Sequence, residues 1–317
     1  MPATIASAPG KIILFGEHAV VYGRPAIAVP VSQVKAKASV MAEPRWPAGE
    51  VKLHAPDIGL DARLSDLPDE HPLAVAVRGA LRAVGVERPP AFSLRISSTI
   101  PIAAGLGSGA AVSVAVIRAV SAFLGHPLAD GRVSDLAFEV DLLYHGTPSG
   151  IDNTVITYAR PVYFTRGLPI EIFQAPVPFT MVIGDTGVAS PTALAVGDLR
   201  RAWEVNPVQY ESIFDAIGRI AQAARRAVEG GEPHALGPLM DENQVWLCEL
   251  GVSSAGLERL VAAARAAGAL GAKLSGGGRG GNMIALADAQ RAEAVAAGLT
   301  AAGAVRTIIT TVGTPYA

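Results

Sequence analysis

A chain of 317 residues is about twice the length of a typical domain, so two moderate domains are expected. Half of the residues are hydrophobic and only 17% are charged, which excludes a largely disordered chain. With 26 basic against 28 acidic residues the formal charge is -2, so no basic excess suits a nucleic-acid partner and any anionic ligand must be held locally.

Met1 to Gly10 has neither a basic start nor a long apolar run, so it does not read as a secretory signal, and a cytoplasmic location is expected. Ile12–Phe15 and Ala26–Val34 are short, β-branched apolar runs separated by the turn-prone Tyr22-Gly23-Arg24-Pro25, and they read as paired strands. The first is bracketed by Lys11 and by Glu17-His18. Charges beside a core strand are costly without partners. They read either as functional groups or as a solvated strand entrance, and His18 alone is equally compatible with a structural histidine. Lys35–Val40 and Phe92–Ile96 alternate polar and apolar residues as half-buried strands do, and Leu73–Val84 between them has helical spacing.

Pro101 to Ala111 (PIAAGLGSGAA) sits between a strand and a helix expected over Gly109–Leu124. Such a loop lets the backbone approach a phosphate, whose charge the unpaired N–H groups of the helix start attract. It lacks the Gly-Lys-Ser/Thr ending of a Walker loop, and tight helix packing alone is the other reading. Ile102–Leu124 is nearly uncharged and about long enough to span a membrane, but Arg118 and the glycines interrupt it, which favours loop and helix. A second helix is expected over Val133–Tyr144. It carries Glu139 and Asp141, each either solvated or, for Asp141, a Mg²⁺ ligand. His145 to Asn153 (HGTPSGIDN) is dense in turn formers and reads as a functional loop, in which Asp152 is a reactive carboxylate or a helix cap.

Pro161–Thr165 and Phe179–Gly184 resemble strands, with a domain boundary expected near Leu168. Helices are expected over Tyr210–Glu229, Pro233–Leu250 and Ser254–Ala267, and strands over Met283–Ala287 and Val305–Thr310. The only cysteine, Cys248, excludes an intramolecular disulfide. Between the last helices and strands lies a second glycine run, Ser275 to Gly281 (SGGGRGG), which reads as a flexible hairpin or as a second phosphate-facing loop. Helices and strands mixed in this order predict an α+β fold.

Taken together, Pro9 to Gly23, the Gly105-Leu106-Gly107-Ser108 loop and Lys273 to Gly281 resemble the galactose, homoserine, mevalonate and phosphomevalonate (GHMP) kinase superfamily. The resemblance spans nearly the whole chain, since Asp185 to Gly197 is similar to that family's substrate-side segment. It implies a two-domain GHMP-kinase-like fold with the active site in the cleft between the domains. Residues 1–168 would carry the ATP loop and catalytic residues, and 169–317 the substrate-side segment and the third glycine motif.

Gly16 to Gly23 and His145 to Asn153 resemble the members acting on mevalonate, which implies ATP-dependent phosphorylation of its 5-hydroxyl, in isoprenoid biosynthesis, by a cytoplasmic homodimer with no nucleic-acid or membrane partner. By the same resemblance Lys11 and Asp152 are the catalytic pair, and Glu17, His18 and Thr192 lie near the substrate. Lys11, Pro101, Ala104, Gly105, Leu106, Gly107, Ser108, Gly109 and Ala110 bind ATP, and Ser108 and Asp141 lie near Mg²⁺. Three positions depart from the family pattern: Gly109 replaces a metal-binding serine, Asp141 replaces a glutamate, and Arg279 replaces a glycine. Another member of the superfamily, a phosphomevalonate kinase or decarboxylase, and a catalytically silent ATP-binding sensor are the alternatives.

Overall fold

The computed structural model describes residues 2–101, 104–145, 148–189 and 192–313, and leaves the side chains of Tyr144, His145, Thr192 and Ala193 undescribed. In chain order the elements are β1 (Thr4–Phe15), β2 (Ala26–Ala42), β3 (Val51–Ala55), β4 (Leu60–Arg63), α1 (Pro72–Ala83), β5 (Phe92–Ser98), α2 (Ser108–Phe123), α3 (Asp130–His145) and α4 (Ile151–Tyr158). There follow β6 (Val162–Phe164), β7 (Glu171–Ile172), β8 (Phe179–Asp185), α5 (Thr192–Val205), α6 (Pro207–Glu229), α7 (Leu236–Glu249), α8 (Ala255–Ala266), β9 (Gly271–Ser275), β10 (Asn282–Ala287), α9 (Ala292–Ala301) and β11 (Arg306–Val312). The fold is α+β, as expected.

The chain forms two compact units. The first comprises Met1–Gly10, Val34–Ile102 and Leu106–Ala159; the second comprises Lys11–Gln33, Ala103–Gly105 and Arg160–Ala317. A cut near Leu168 therefore leaves residues 11–33 on the N-terminal side of the chain although they pack with the second unit. The cause is local to that unit. Arg24 reaches Asp215 (2.8 Å) and Glu211 (2.5 Å) on α6, and Gly218 leaves room for the Arg24 stem, which a Cβ there would meet at 2.9 Å.

In the first unit, β2 pairs antiparallel with β5 from Ala36↔Ser98 to Ala42↔Phe92, β5 runs parallel to β3, and β3 antiparallel to β4. The predicted alternation is realised: Ala36, Ala38 and Val40 are fully buried, whereas Lys35 and Lys37 face outward. Helix α2 is apolar on nearly every side because α1, α3 and α4 all pack on it. Arg118, the charge inside its apolar run, donates to Asp130 and to the Thr157 carbonyl, both at 2.6 Å, and so ties α2 to the start of α3 and the end of α4. Among the described residues no helix is long and apolar enough to cross a membrane.

In the second unit an antiparallel sheet runs β11-β8-β10-β9. Val182, Leu274, Met283 and Ala285 from the sheet pack with Phe214, Ile217, Leu247, Leu257 and Leu260 from α6, α7 and α8. Helices α6 and α8 begin where Asn206 and Ser254 accept hydrogen bonds from the N–H groups of Gln209 and Leu257. Gly237 and Gly271 let α7 and β9 approach closely; a Cβ on Gly271 would lie 2.0 Å from the Gly237 carbonyl oxygen.

Three helices escape the periodicity reading, namely α4, α5 and α9, as do strands β3, β4, β7 and β9. The helix expected from Pro233 starts instead at Leu236, after a 3-10 turn over Pro233–Ala235.

Candidate active site

Strand β1 delivers Lys11 and then ends at Phe15 in a turn at Gly16. Gly16 has φ 94°, and a Cβ there would lie 2.4 Å from both the Ala26 Cα and the Pro25 carbonyl oxygen, so the turn is pressed onto the start of β2. Next come two buried polar side chains, Glu17 (3% exposed) and His18 (5%). His18 has φ 61° and ψ -49°, a backbone conformation that costs a residue bearing a Cβ about 1–3 kcal/mol.

The His18 ring is tied to the far end of the chain. Its Nε2 lies 3.1 Å from the carbonyl oxygen of Gly277. A carbonyl can only accept, so Nε2 carries the hydrogen and Nδ1 of the neutral ring is a lone-pair acceptor. That Nδ1 is buried without a hydrogen-bond partner. Burial lowers the His18 pKa from 6.5 to about 4; the Gly277 hydrogen bond raises it and the Arg279 charge lowers it, so the ring is neutral at pH 7.

Glu17 points instead into the protein, where Lys273 Nζ donates to its carboxylate Oε1 with both side chains sealed from solvent. Asn243 Nδ2 donates to Oε2 at 3.3 Å, and Lys273 also donates to the Leu274 carbonyl at 2.7 Å. Burial pushes the Lys273 pKa down while the Glu17 charge pulls it up. Sequence reasoning assigned Lys273 no role. The signal was a lysine in a strand, Gly271–Ser275, whose residues are all buried, where an ammonium needs an anion.

The glycine run Ser275 to Gly281 joins β9 to β10. It is held at several points: Ser275 Oγ donates to the Ile13 carbonyl (2.7 Å), Arg279 N–H to the Val252 carbonyl (2.7 Å), and Gly281 N–H to the Val188 carbonyl (2.9 Å). A Cβ on Gly278 would lie 2.0 Å from the Val252 oxygen, so this loop is packed rather than a free hairpin. Arg279, with φ 60°, pairs with Asp198 on α5, which settles where its side chain goes. At the loop's end Asn282 Nδ2 donates to the carbonyl of Ala104 at 2.5 Å. Within this one unit, then, the Lys11–Gly23 segment, Ala104 of the first glycine loop and the Lys273–Asn282 segment are brought together.

From Ala104 the loop continues through exposed Gly105 and buried Leu106 to Gly107, whose φ of 74° ends the loop at the start of α2. Ser108 opens the helix, Gly109 is exposed and Ala110 is buried. Gly107 offers no side-chain cap, so the first-turn N–H groups have the geometry that suits an anion. A Cβ at Gly109 would meet nothing within 4 Å, so the missing family serine leaves open space there. Pro101 precedes the loop and is half-buried, and Ile102 and Ala103 lie outside the described residues.

On α3, Asp141 is 5% exposed, whereas Glu139 faces solvent and pairs with Arg82 at 3.5 Å. Asp152 is not in a loop. Gly150, at φ 81°, opens α4, and Asp152 lies half-buried in its first turn. The Asn153 amide beside it is anchored to Ser134 Oγ at 2.9 Å. Gly146 and Thr147 of the expected loop, and the side chains of His145 and Thr192, lie outside the description, although His145 ends α3 and Thr192 is the first residue of α5.

Among the described residues no group of three His, Cys, Asp or Glu could hold a metal ion alone. One buried carboxylate on α3, Asp141, and the uncapped start of α2 are the kinds of group that fit Mg²⁺, which keeps several waters and binds through one or two carboxylates plus substrate phosphates.

The GHMP kinases N terminal domain family matches residues 73–160 and the GHMP kinases C terminal family matches residues 220–305. The chain belongs to the GHMP kinases, a family of ATP-dependent kinases. It is 39% identical to a mevalonate kinase of Thermococcus gammatolerans over 320 residues, covering 94% of this chain and 93% of that one. Among solved structures it is similar to L. major mevalonate kinase in complex with R-mevalonate (31% identity, TM-score 0.83, covering 100% of this chain and 97% of the other). It is also similar to Methanococcus jannaschii mevalonate kinase (25% identity, TM-score 0.84, covering 98% of each).

Proposed function

We propose that this chain transfers the γ-phosphoryl group of ATP to the 5-hydroxyl of (R)-mevalonate, giving 5-phosphomevalonate and ADP in isoprenoid biosynthesis. The observation that carries the reading is likeness over nearly the full chain to mevalonate kinases, one of them solved with R-mevalonate bound. The buried, neutral His18 supports it: Nδ1 is an acceptor without a partner, and a substrate hydroxyl would supply the donor.

Phosphoryl transfer needs positioning and charge neutralisation more than covalent help. The N–H groups at the start of α2, with residues 101–110, would cradle the ATP phosphates. Asp152 would take the proton of the 5-hydroxyl as its oxygen attacks the γ-phosphorus and ADP leaves, and the Lys11 ammonium would offset negative charge developing in the transfer. His18 and Thr192 would orient mevalonate. Glu17 lies beside His18 in sequence, with its carboxylate engaged by Lys273. Asp141 and Ser108 would hold Mg²⁺, which would supply positive charge to offset the negative charge that develops on the phosphate groups. The same reading extends to a cytoplasmic homodimer with neither nucleic acid nor membrane as partner.

The test is coupled ADP release with Mg·ATP and, separately, mevalonate, phosphomevalonate, galactose and homoserine. Release with mevalonate alone is expected. Release only with phosphomevalonate would move the protein one reaction along, and release with none would make it a binding protein.

A further inference from the structure

The Glu17–Lys273 pair is out of place by the usual energetics of a core. Both side chains are sealed from solvent, at 1% and 0% exposure, and replacing such a pair by well-packed apolar residues often leaves stability unchanged or raised. Net stabilisation therefore does not account for it, whereas its location offers a reason. Glu17 immediately precedes His18, whose backbone is in a conformation disfavoured for any residue with a Cβ. Lys273 sits on β9, two residues before Ser275, where the third glycine run begins. The ammonium has a second acceptor in the Leu274 carbonyl (2.7 Å) and lies 5.7 Å from the centre of the Phe15 ring, so it contacts both the end of β1 and the end of β9. Asn243 of α7 reaches the other Glu17 oxygen at 3.3 Å, and Gln244 beside it accepts the Leu274 N–H at 2.7 Å. One helix thus braces both partners.

We infer that Glu17 and Lys273 are positioning residues for substrate recognition: the buried pair sets the register between the His18 turn and the third glycine run, and so fixes where the free ring nitrogen of His18 points. The inference rests on the reading of His18 as a substrate contact. Glu17 then acts through its neighbour instead of touching mevalonate itself, and Lys273, 256 positions away, belongs to the same device.

The test uses the full chain with the double replacement Glu17→Leu/Lys273→Met, which removes both charges and retains apolar volume. Circular dichroism checks that it folds. The expected result is a folded protein whose KM for mevalonate rises about tenfold or more, with kcat and KM for ATP within about threefold of the parent. By NMR, its His18 ring should titrate closer to 6.5 than the parent value of about 4. A pair that merely holds the core together would leave both readouts unmoved in the folded double variant, and that outcome overturns the inference. Should this variant not fold, Glu17→Gln, which keeps the volume and an acceptor for Lys273, carries the test: a rise in KM for mevalonate of about threefold or more supports the inference, and an unchanged KM overturns it. A parent protein inactive on mevalonate would end the functional reading instead, and the His18 titration would then decide the inference alone.

Discussion

The Nε2 atom of His18 lies 3.1 Å from the carbonyl oxygen of Gly277, 259 positions further along the chain. This contact assigns the ring proton to one nitrogen and leaves the other, buried and unpartnered, as an acceptor. The ring also reports on pH.

Because the folded-state pKa of His18 is lowered from 6.5 to about 4, the unfolded chain binds the proton first as pH falls. Its contribution to stability is therefore complete above pH 6.5 and is lost on the way down to about pH 4, a total of about 3 kcal/mol. Urea denaturation at about pH 7.5 and about pH 4.5 measures most of it: the parent should lose about 2.5 kcal/mol more than His18→Gln between the two conditions. Equal losses in both proteins would mean that the ring titrates normally.

Asp152→Asn should bind ATP and barely turn over. Loss of a general base costs on the order of 10²–10⁴ in kcat, about 3–5 kcal/mol of barrier. Single-turnover kinetics with saturating mevalonate give the number, and near-normal turnover would remove Asp152 as the base. Lys11→Ala should likewise lose kcat while keeping the melting midpoint of the parent; an unfolded variant would make Lys11 a structural residue.

Arg279→Gly exchanges a residue with φ 60° for the one best suited to that backbone, and it removes a pair with Asp198 in which both side chains are about 40% exposed. Stability should be unchanged or improved. The Arg279 charge depresses the His18 pKa, so the histidine should titrate higher in this variant, by NMR. A marked loss of stability, or a downward shift, would contradict this account.

Gly271→Ala places a methyl group 2.0 Å from the Gly237 carbonyl oxygen, backbone against backbone. Separating β9 from α7 to relieve it should cost about 3 kcal/mol, at the upper end for overpacking, and lower the thermal midpoint. Calorimetry that found the parent midpoint would show that the two elements can part freely.

Much of the fold was legible because period and turn chemistry agreed: the alternation of Ala36, Ala38 and Val40 is present in the strand, and a glycine loop does feed α2. Where they conflicted, the reading failed. Pro148, Ser149 and Gly150 extended the expected loop past residue 150, yet Gly150 itself opens α4, so Asp152 belongs to a helix. Helix α9 is alanine-rich over residues 292–301 and lacks the polar contrast that reveals a face. The chemistry-bearing motifs could be read as short local runs. The partner of Glu17 could not, because no local pattern links residues 256 positions apart.

The interleaving of the two units bears on how the protein is made. Residues 11–33 leave the ribosome early, yet Lys273 and Gly277, their partners, are synthesised near the end. Until then the Glu17 carboxylate has no ammonium and the His18 ring lacks the Gly277 carbonyl, so the second unit cannot mature during translation and must assemble after most of the chain has emerged. A truncated product that stops before β9 would expose that unfinished surface, which makes it a natural client for chaperones and proteases.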